Sequence, residues 1–78
     1  MKQLTQKDFK ESHLDERHTA AAIDANGHAW AITGSKSDFY DTEDNQLCWN
    51  FPVKGLLIGS GYDNINWQNS AIDREVKA

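Results

Sequence analysis

Four side chains are nitrogen or sulfur donors of the kind that structural zinc sites use: His13, His18, His28 and Cys48. Their spacing does not make a site. On a helix, five positions turn the chain through ~500°, so His13 and His18 lie ~140° apart and miss the i, i+4 pairing of a helical zinc site. With one cysteine there is no Cys-x-x-Cys. These read as surface histidines near a helix end and a turn, and no metal is expected.

Cys48 as a nucleophile needs a histidine brought to it by the fold. Its place between Leu47 and Trp49 instead suits a buried, inert thiol. Ser12, Ser35, Ser37, Ser60 and Ser70 fall in loops or caps, none in a Gly-x-Ser-x-Gly setting. Gly59-Ser60-Gly61 lacks the third glycine of a dinucleotide loop, and Gly34-Ser35-Lys36-Ser37 lacks the glycines that precede the lysine of a phosphate loop. No catalytic residue and no cofactor follows from the sequence, and the chain does not read as an enzyme.

Two segments have the chemistry of a contact surface. From Ser35 to Asn50, four carboxylates (Asp38, Asp41, Glu43, Asp44) face Lys36 alone, a net charge of −3. Asp41, Glu43, Asp44 and Asn45 cluster oxygen ligands, but the glycine and closing glutamate of an EF-hand loop are absent. With Phe39 and Tyr40, the segment can instead present an acidic, aromatic-bearing surface that steers a basic partner. The second segment surrounds Trp67 with Asn64, Asn66, Gln68 and Asn69, near Tyr62 and Asp63. Tyrosine and tryptophan amid amides suit an anchor surface. The competing reading turns Ile65 and Trp67 into the core. The partner-binding candidates are therefore Asp38, Tyr40, Asp41, Glu43, Asp44, Tyr62 and Trp67.

The bulk numbers bound what must hold these residues. Seventy-eight residues make one small domain, here 1–78. The net charge is −4 and the basic residues are scattered, which argues against a nucleic-acid partner. A lone cysteine excludes an internal disulfide and fits a reducing compartment. The first residues lack the apolar run of a secretory signal, and no run approaches a membrane span, so a cytoplasmic location is expected. Small size makes added burial through a homodimer attractive.

Start signals place a helix from Gln6 to about Glu16. Thr5 is the N-cap, Asp8 completes a capping box, and Leu4 with Phe9 forms a hydrophobic staple. Asn26-Gly27 suits a two-residue type I′ hairpin turn. That register opposes Ile23 to Trp30 and Ala21 to Ile32 on one face and leaves Ala20, Ala22, Ala29 and Ala31 on the other. A four-residue turn from Asp24 would move the register by one. The flat alanine face predicts a second covering layer or partner opposite the helix.

A short strand is expected at Asp38 to Tyr40, then one at Leu47, Trp49 and Phe51, a Pro52–Gly55 turn, and a buried return strand Leu56–Ile58. Ser70 and Asp73 suggest a capping box opening a short C-terminal helix from Ala71; a strand through Asn66–Asp73 is the alternative. The expected core is Leu4, Phe9, Leu14, Ile23, Trp30, Ile32, Phe39, Leu47, Trp49, Phe51, Val53, Leu56, Leu57, Ile58, Trp67, Ile72 and Val76.

The fold class expected is α+β: an N-terminal helix on an antiparallel sheet of three to four strands, with an optional C-terminal helix. The function that fits is a small cytosolic accessory or inhibitor protein that occupies a host or self protein's surface. That profile also suits a phage or mobile-element protein. The alternative is a nucleic-acid module that stacks bases on its aromatics, weakened by the missing positive groove.

Overall fold

The computed structural model describes residues 2–11, 14–42, 44 and 46–75. Among these residues one helix, α1 (Gln6–Glu11), precedes six strands: β1 (Ala20–Ile23), β2 (Ala29–Ile32), β3 (Phe39–Asp41), β4 (Leu47–Trp49), β5 (Gly55–Gly59) and β6 (Ile72–Asp73). Turns of 3-10 helix lie at Lys36–Asp38 and Trp67–Asn69. The strands form an antiparallel four-stranded sheet, ordered β5-β2-β1-β6, and a separate β3-β4 ribbon. The protein is thus α+β, mostly β, with a short N-terminal helix.

The central hairpin departs from the expected register. Ala20 pairs with Ile32, Ala21 with Ala31, Ala22 with Trp30 and Ile23 with Ala29. The Asp24 N–H donates to His28 O at 2.9 Å, and the Gly27 N–H to Asp24 O at 3.1 Å. Gly27 alone in this loop has a positive φ, +81°. This is a type I turn ending in a left-handed glycine, not a type I′ turn. The reason lies in Asp24. Its Oδ1 accepts the N–H groups of Asn26 (2.8 Å) and His28 (3.0 Å), and its Oδ2 accepts Trp30 Nε1 (2.9 Å). Partial burial pushes this carboxyl's pKa up, but the donors from Trp30, His28 and Asn26 and the His28 imidazole outweigh it and hold it below the usual aspartate value.

The corrected register separates Ile23 from Trp30. One face of β1 and β2 carries Ala21, Ile23, Ala29 and Ala31; the other carries Ala20, Ala22, Trp30 and Ile32. Neither face is purely alanine, and both are covered. Phe9, Leu14 and Leu4 cover Ala21 and Ala31, and Tyr62 covers Ile23 and Ala29.

The expected start of α1 holds. The Thr5 N–H donates to Asp8 Oδ2 at 2.8 Å, and Leu4 packs on the cluster containing Phe9. The expected end does not. The helix is described as far as Glu11, and from Leu14 the chain is no longer helical: Asp15 makes a turn in which its Oδ1 accepts the Arg17 N–H and its carbonyl the His18 N–H, both at 3.0 Å. Leu14 therefore enters the core from irregular chain.

The opposite face is covered by the ribbon. Phe39 pairs with Trp49, and the Trp49 ring stands 6.0 Å from both the Phe39 and Trp30 rings. Trp49 can lie this close because residue 55 is glycine: a Cβ there would overlap the indole. Phe51, expected in the strand and core, sits instead in the Asn50–Val53 turn, which holds the cis Phe51–Pro52 bond, and is 96% exposed. β5 lies at the sheet edge, so Leu56 and Leu57, also expected in the core, are about half exposed.

At the C-terminal side no helix opens at Ala71. The Ser70 hydroxyl accepts the Ile23 N–H (2.8 Å) and donates to Trp67 O (2.6 Å), tying the chain to β1 instead of capping a following turn. The chain continues extended as β6, pairing Ile72 with Ala21 and Asp73 with Ala20. Of the alternative strand over Asn66–Asp73, Ile72 and Asp73 form; Trp67–Asn69 is helical. Val76 lies outside the described residues.

Two substitutions test the roles of Asp24 and Gly55. Asp24→Ala should cost about 2–4 kcal/mol in urea unfolding at neutral pH, since it strips partners from the Trp30 indole and two amides. The folded carboxyl titrates below its unfolded value. Its contribution is therefore full above about pH 4 and is lost as pH falls through the folded value. The gap between wild type and Asp24→Ala should narrow at low pH; a constant gap contradicts the assignment. Gly55→Ala should displace Trp49, seen as altered tryptophan emission and about 1–3 kcal/mol of lost stability.

Candidate functional site

The ribbon and the Trp67–Asn69 turn enclose a groove of about 110 Å³ between them. Tyr40 and Asp41 come from β3 and Trp67 and Gln68 from the turn, with Lys36, Phe39, Leu47, Ala22 and Ala71 completing the lining. Each wall has a local reason for its position. Ser70 ties the turn to β1 through Ile23. The ribbon is held through Trp49, and the Lys36 N–H donates to Asp73 Oδ1 at 2.7 Å, anchoring the start of β3 to β6. Gln68 Nε2 donates to Asp41 Oδ2 at 2.9 Å, joining the two walls.

On the other side of Leu47 lies an open depression of about 410 Å³, lined by Asp24, Ala25, Asn26, Trp30, Gln46, Leu47 and Trp49. Leu47 is thus the ridge between two adjoining hollows. The first is polar with an aromatic wall, and the second is floored by two indoles.

The structure brings Tyr40, Asp41 and Trp67 together at the groove. Tyr40 is 43% exposed, and its hydroxyl donates to Asn50 Oδ1 at 3.3 Å. Trp67 is half-buried against the cluster of Ile23 and Tyr62. It is therefore both a packing residue and a groove wall, whereas Ile65 points outward, 80% exposed. Asp38 is exposed and caps its own turn, accepting the Ser35 N–H at 2.7 Å. Asp44 is exposed. Glu43 lies outside the described residues.

Tyr62 is placed differently. It is 4% exposed, and its hydroxyl donates to Asp8 Oδ1 at 2.6 Å. Tyr62 closes the core over Ile23 and ties it to Asp8 in the first turn of α1, so it offers no surface to a partner. Composition suggests an anchor because a buried tyrosine with a satisfied hydroxyl looks the same in sequence as an exposed one.

Sequence reasoning misses Gln68, Lys36 and Ala71. The amide-rich stretch around Trp67 is a signal for Gln68; Lys36 reads in sequence only as a stray cation. Phe39 and Leu47 read as core, and half-buried groove walls carry the same apolar signature.

Cys48 is a free, half-buried cysteine paired with Tyr40. Among the described residues, no group of three His, Cys, Asp or Glu is arranged to hold a metal ion, and no helix is long and apolar enough to cross a membrane. His28 Nδ1 lies 3.6 Å from Asp24 Oδ2, His18 Nδ1 is buried with no hydrogen-bond partner among the described residues, and His13 lies outside them. No protein-family model matches this chain, and no curated protein or solved structure shows significant similarity to it.

Tyr62→Phe should cost about 1–2 kcal/mol through the lost hydroxyl bond, measured by thermal or urea unfolding. An unchanged stability would mean that the bond between Tyr62 and Asp8 does not help to hold α1 on the core.

Proposed function

We propose that this protein is a small accessory or inhibitor protein that acts by binding another protein through the acidic, aromatic face around the β3–β4 ribbon. The observation that carries the reading is the groove that unites Tyr40, Asp41 and Trp67 from segments far apart in sequence. Its size suits one side chain rather than a small-molecule substrate, for which pockets of about 300–1,000 Å³ are usual. Its chemistry suits a lysine or arginine of the partner. Aromatic walls pack the aliphatic stem, and Asp41 receives the charge in place of the Gln68 amide. Asp38 and Asp44 add an exposed negative field that steers a basic surface toward it. The neighbouring hollow over Trp30 and Trp49 supplies apolar area for residues flanking that cation. The net charge of −4 makes a nucleic acid the less suitable partner.

The test is an affinity pulldown from the native cell lysate at moderate salt, with and without nuclease. A protein should be recovered in near-equal amount under both conditions. Asp41→Lys combined with Asp44→Lys should weaken its affinity at least about tenfold, because the charge that meets the partner's cation and a steering charge both reverse. The far-UV spectrum and unfolding midpoint should change little, since both residues are exposed. Recovery that depends on nucleic acid, or an interaction indifferent to the double reversal, defeats this reading.

A further inference from the structure

The two edges of the four-stranded sheet end differently. At β6 the Gln6 side chain stands in for a further strand: its Nε2 donates to Asp73 O at 2.6 Å and its Oε1 accepts the Glu75 N–H at 2.9 Å. At β5, among the described residues, no backbone hydrogen bond outside the β2 ladder reaches Gly55, Leu56 or Leu57. Lys54 shows which backbone groups of this edge face outward. Its carbonyl accepts the Thr33 N–H and its own N–H donates to Thr33 Oγ1, both at 3.0 Å, so Lys54 faces β2. By strand alternation Leu56 faces β2 as well, and the N–H and C=O groups of Gly55 and Leu57 point away from the sheet. An open row of this kind is a template for another strand.

We propose that β5 pairs antiparallel with β5 of a second copy of this chain, with the twofold axis at Leu56. Gly55 of each copy then exchanges its N–H and C=O with Leu57 of the other, satisfying the outward groups of both. Leu56 meets Leu56 across the axis at the close, non-hydrogen-bonded spacing. Leu57 of each copy lies opposite Gly55 of the other. That glycine already carries the Trp49 indole over it, so Leu57 gains an aromatic surface to pack on. This accounts for the half exposure of Leu56 (47%) and Leu57 (50%), one on each face of the sheet.

Charge selects a second copy as the occupant. Residues 47–62 contain Lys54 and no carboxylate, in a chain with 12 acidic residues and a net charge of −4. Here two acidic molecules can meet without opposing their carboxylates. Lys54 falls opposite Ile58 rather than its own counterpart. The register shift between β2 and β5 beyond Leu57 limits the ladder to its first part. The closed β6 edge stops the sheet at two copies instead of an open fibre.

Sedimentation equilibrium of the full chain should give about twice the 8.8 kDa chain mass, falling on dilution. Leu56→Lys sets two ammonium groups against each other at the axis and should raise the dissociation midpoint at least about tenfold, with the far-UV spectrum retained. Amide exchange on the wild type provides a readout free of any variant. Gly55 and Leu57 should exchange slowly at high concentration and several-fold faster on dilution, while the Leu56 amide, bonded to β2, stays independent of concentration. A chain that stays monomeric at millimolar concentration overturns the proposal. So does a dimer whose Gly55 and Leu57 amides exchange at open rates throughout.

Discussion

Everything in this fold rests on the shortness of the side chains in the central hairpin. Ala20, Ala21, Ala22, Ala29 and Ala31 are buried, although strands β1 and β2 are packed on both faces. A chain of this size has little large apolar surface with which to fill two interfaces. Alanine resolves this by letting both covering layers come close to the backbone, so a few large residues suffice. Phe9 and Leu14 close one side, and Trp30 with Trp49 closes the other. The fully buried large side chains, Phe9, Ile23 and Ile32, are correspondingly few.

The same alanines explain why the hairpin's existence is legible in the sequence and its register is not. Moving one strand by one residue changes which face meets the core. Here every residue of β1 and β2 is apolar, and the slip only exchanges Trp30 and Ile32 for Ala29 and Ala31 beside Ile23, so the apolar pattern carries little information. The register is set instead by Asp24, whose carboxylate gathers two amides and an indole and so favours the longer turn. From sequence alone Asn26-Gly27 looks the stronger turn signal. Competition of the same kind decides the C-terminal side. Ser70 and Asp73 have capping chemistry, but Ser70 meets the backbone of Ile23 and Asp73 meets that of Lys36. A cap signal is local; its partners here arrive from 47 and 37 positions away.

The start of α1 and the presence of a second covering layer can be read from the residues alone, and Tyr40, Asp41 and Trp67, singled out by composition, come to line one groove. Each depends on short-range chemistry or on composition. What escapes depends on distant contacts. Tyr62 is inward because Asp8 waits for its hydroxyl, and Phe51 is outward because the ribbon ends before it. The groove itself has no sequence signature. It exists because Ser70 fixes one wall to β1 while Trp49, admitted by Gly55, fixes the other.

The placement of β6 governs how the molecule is made. It fills the outer edge of β1, a strand translated roughly fifty residues earlier, and Lys2 bridges to Tyr62 in parallel. These are long-range pairings, which close late because distant segments must first meet. During synthesis β1 and β2 can fold over as a hairpin while still near the ribosome. The sheet cannot be completed until residues 62–75 have left the exit tunnel. Until then the outer edge of β1 is unpaired and Ile23 and Ala29 lack the cover of Tyr62, a state open to wrong pairing with neighbouring nascent chains. The bridge of Lys2 to Tyr62 and the pairing of β6 with β1 therefore join segments distant in sequence, and the later-made strand closes the edge of the earlier one.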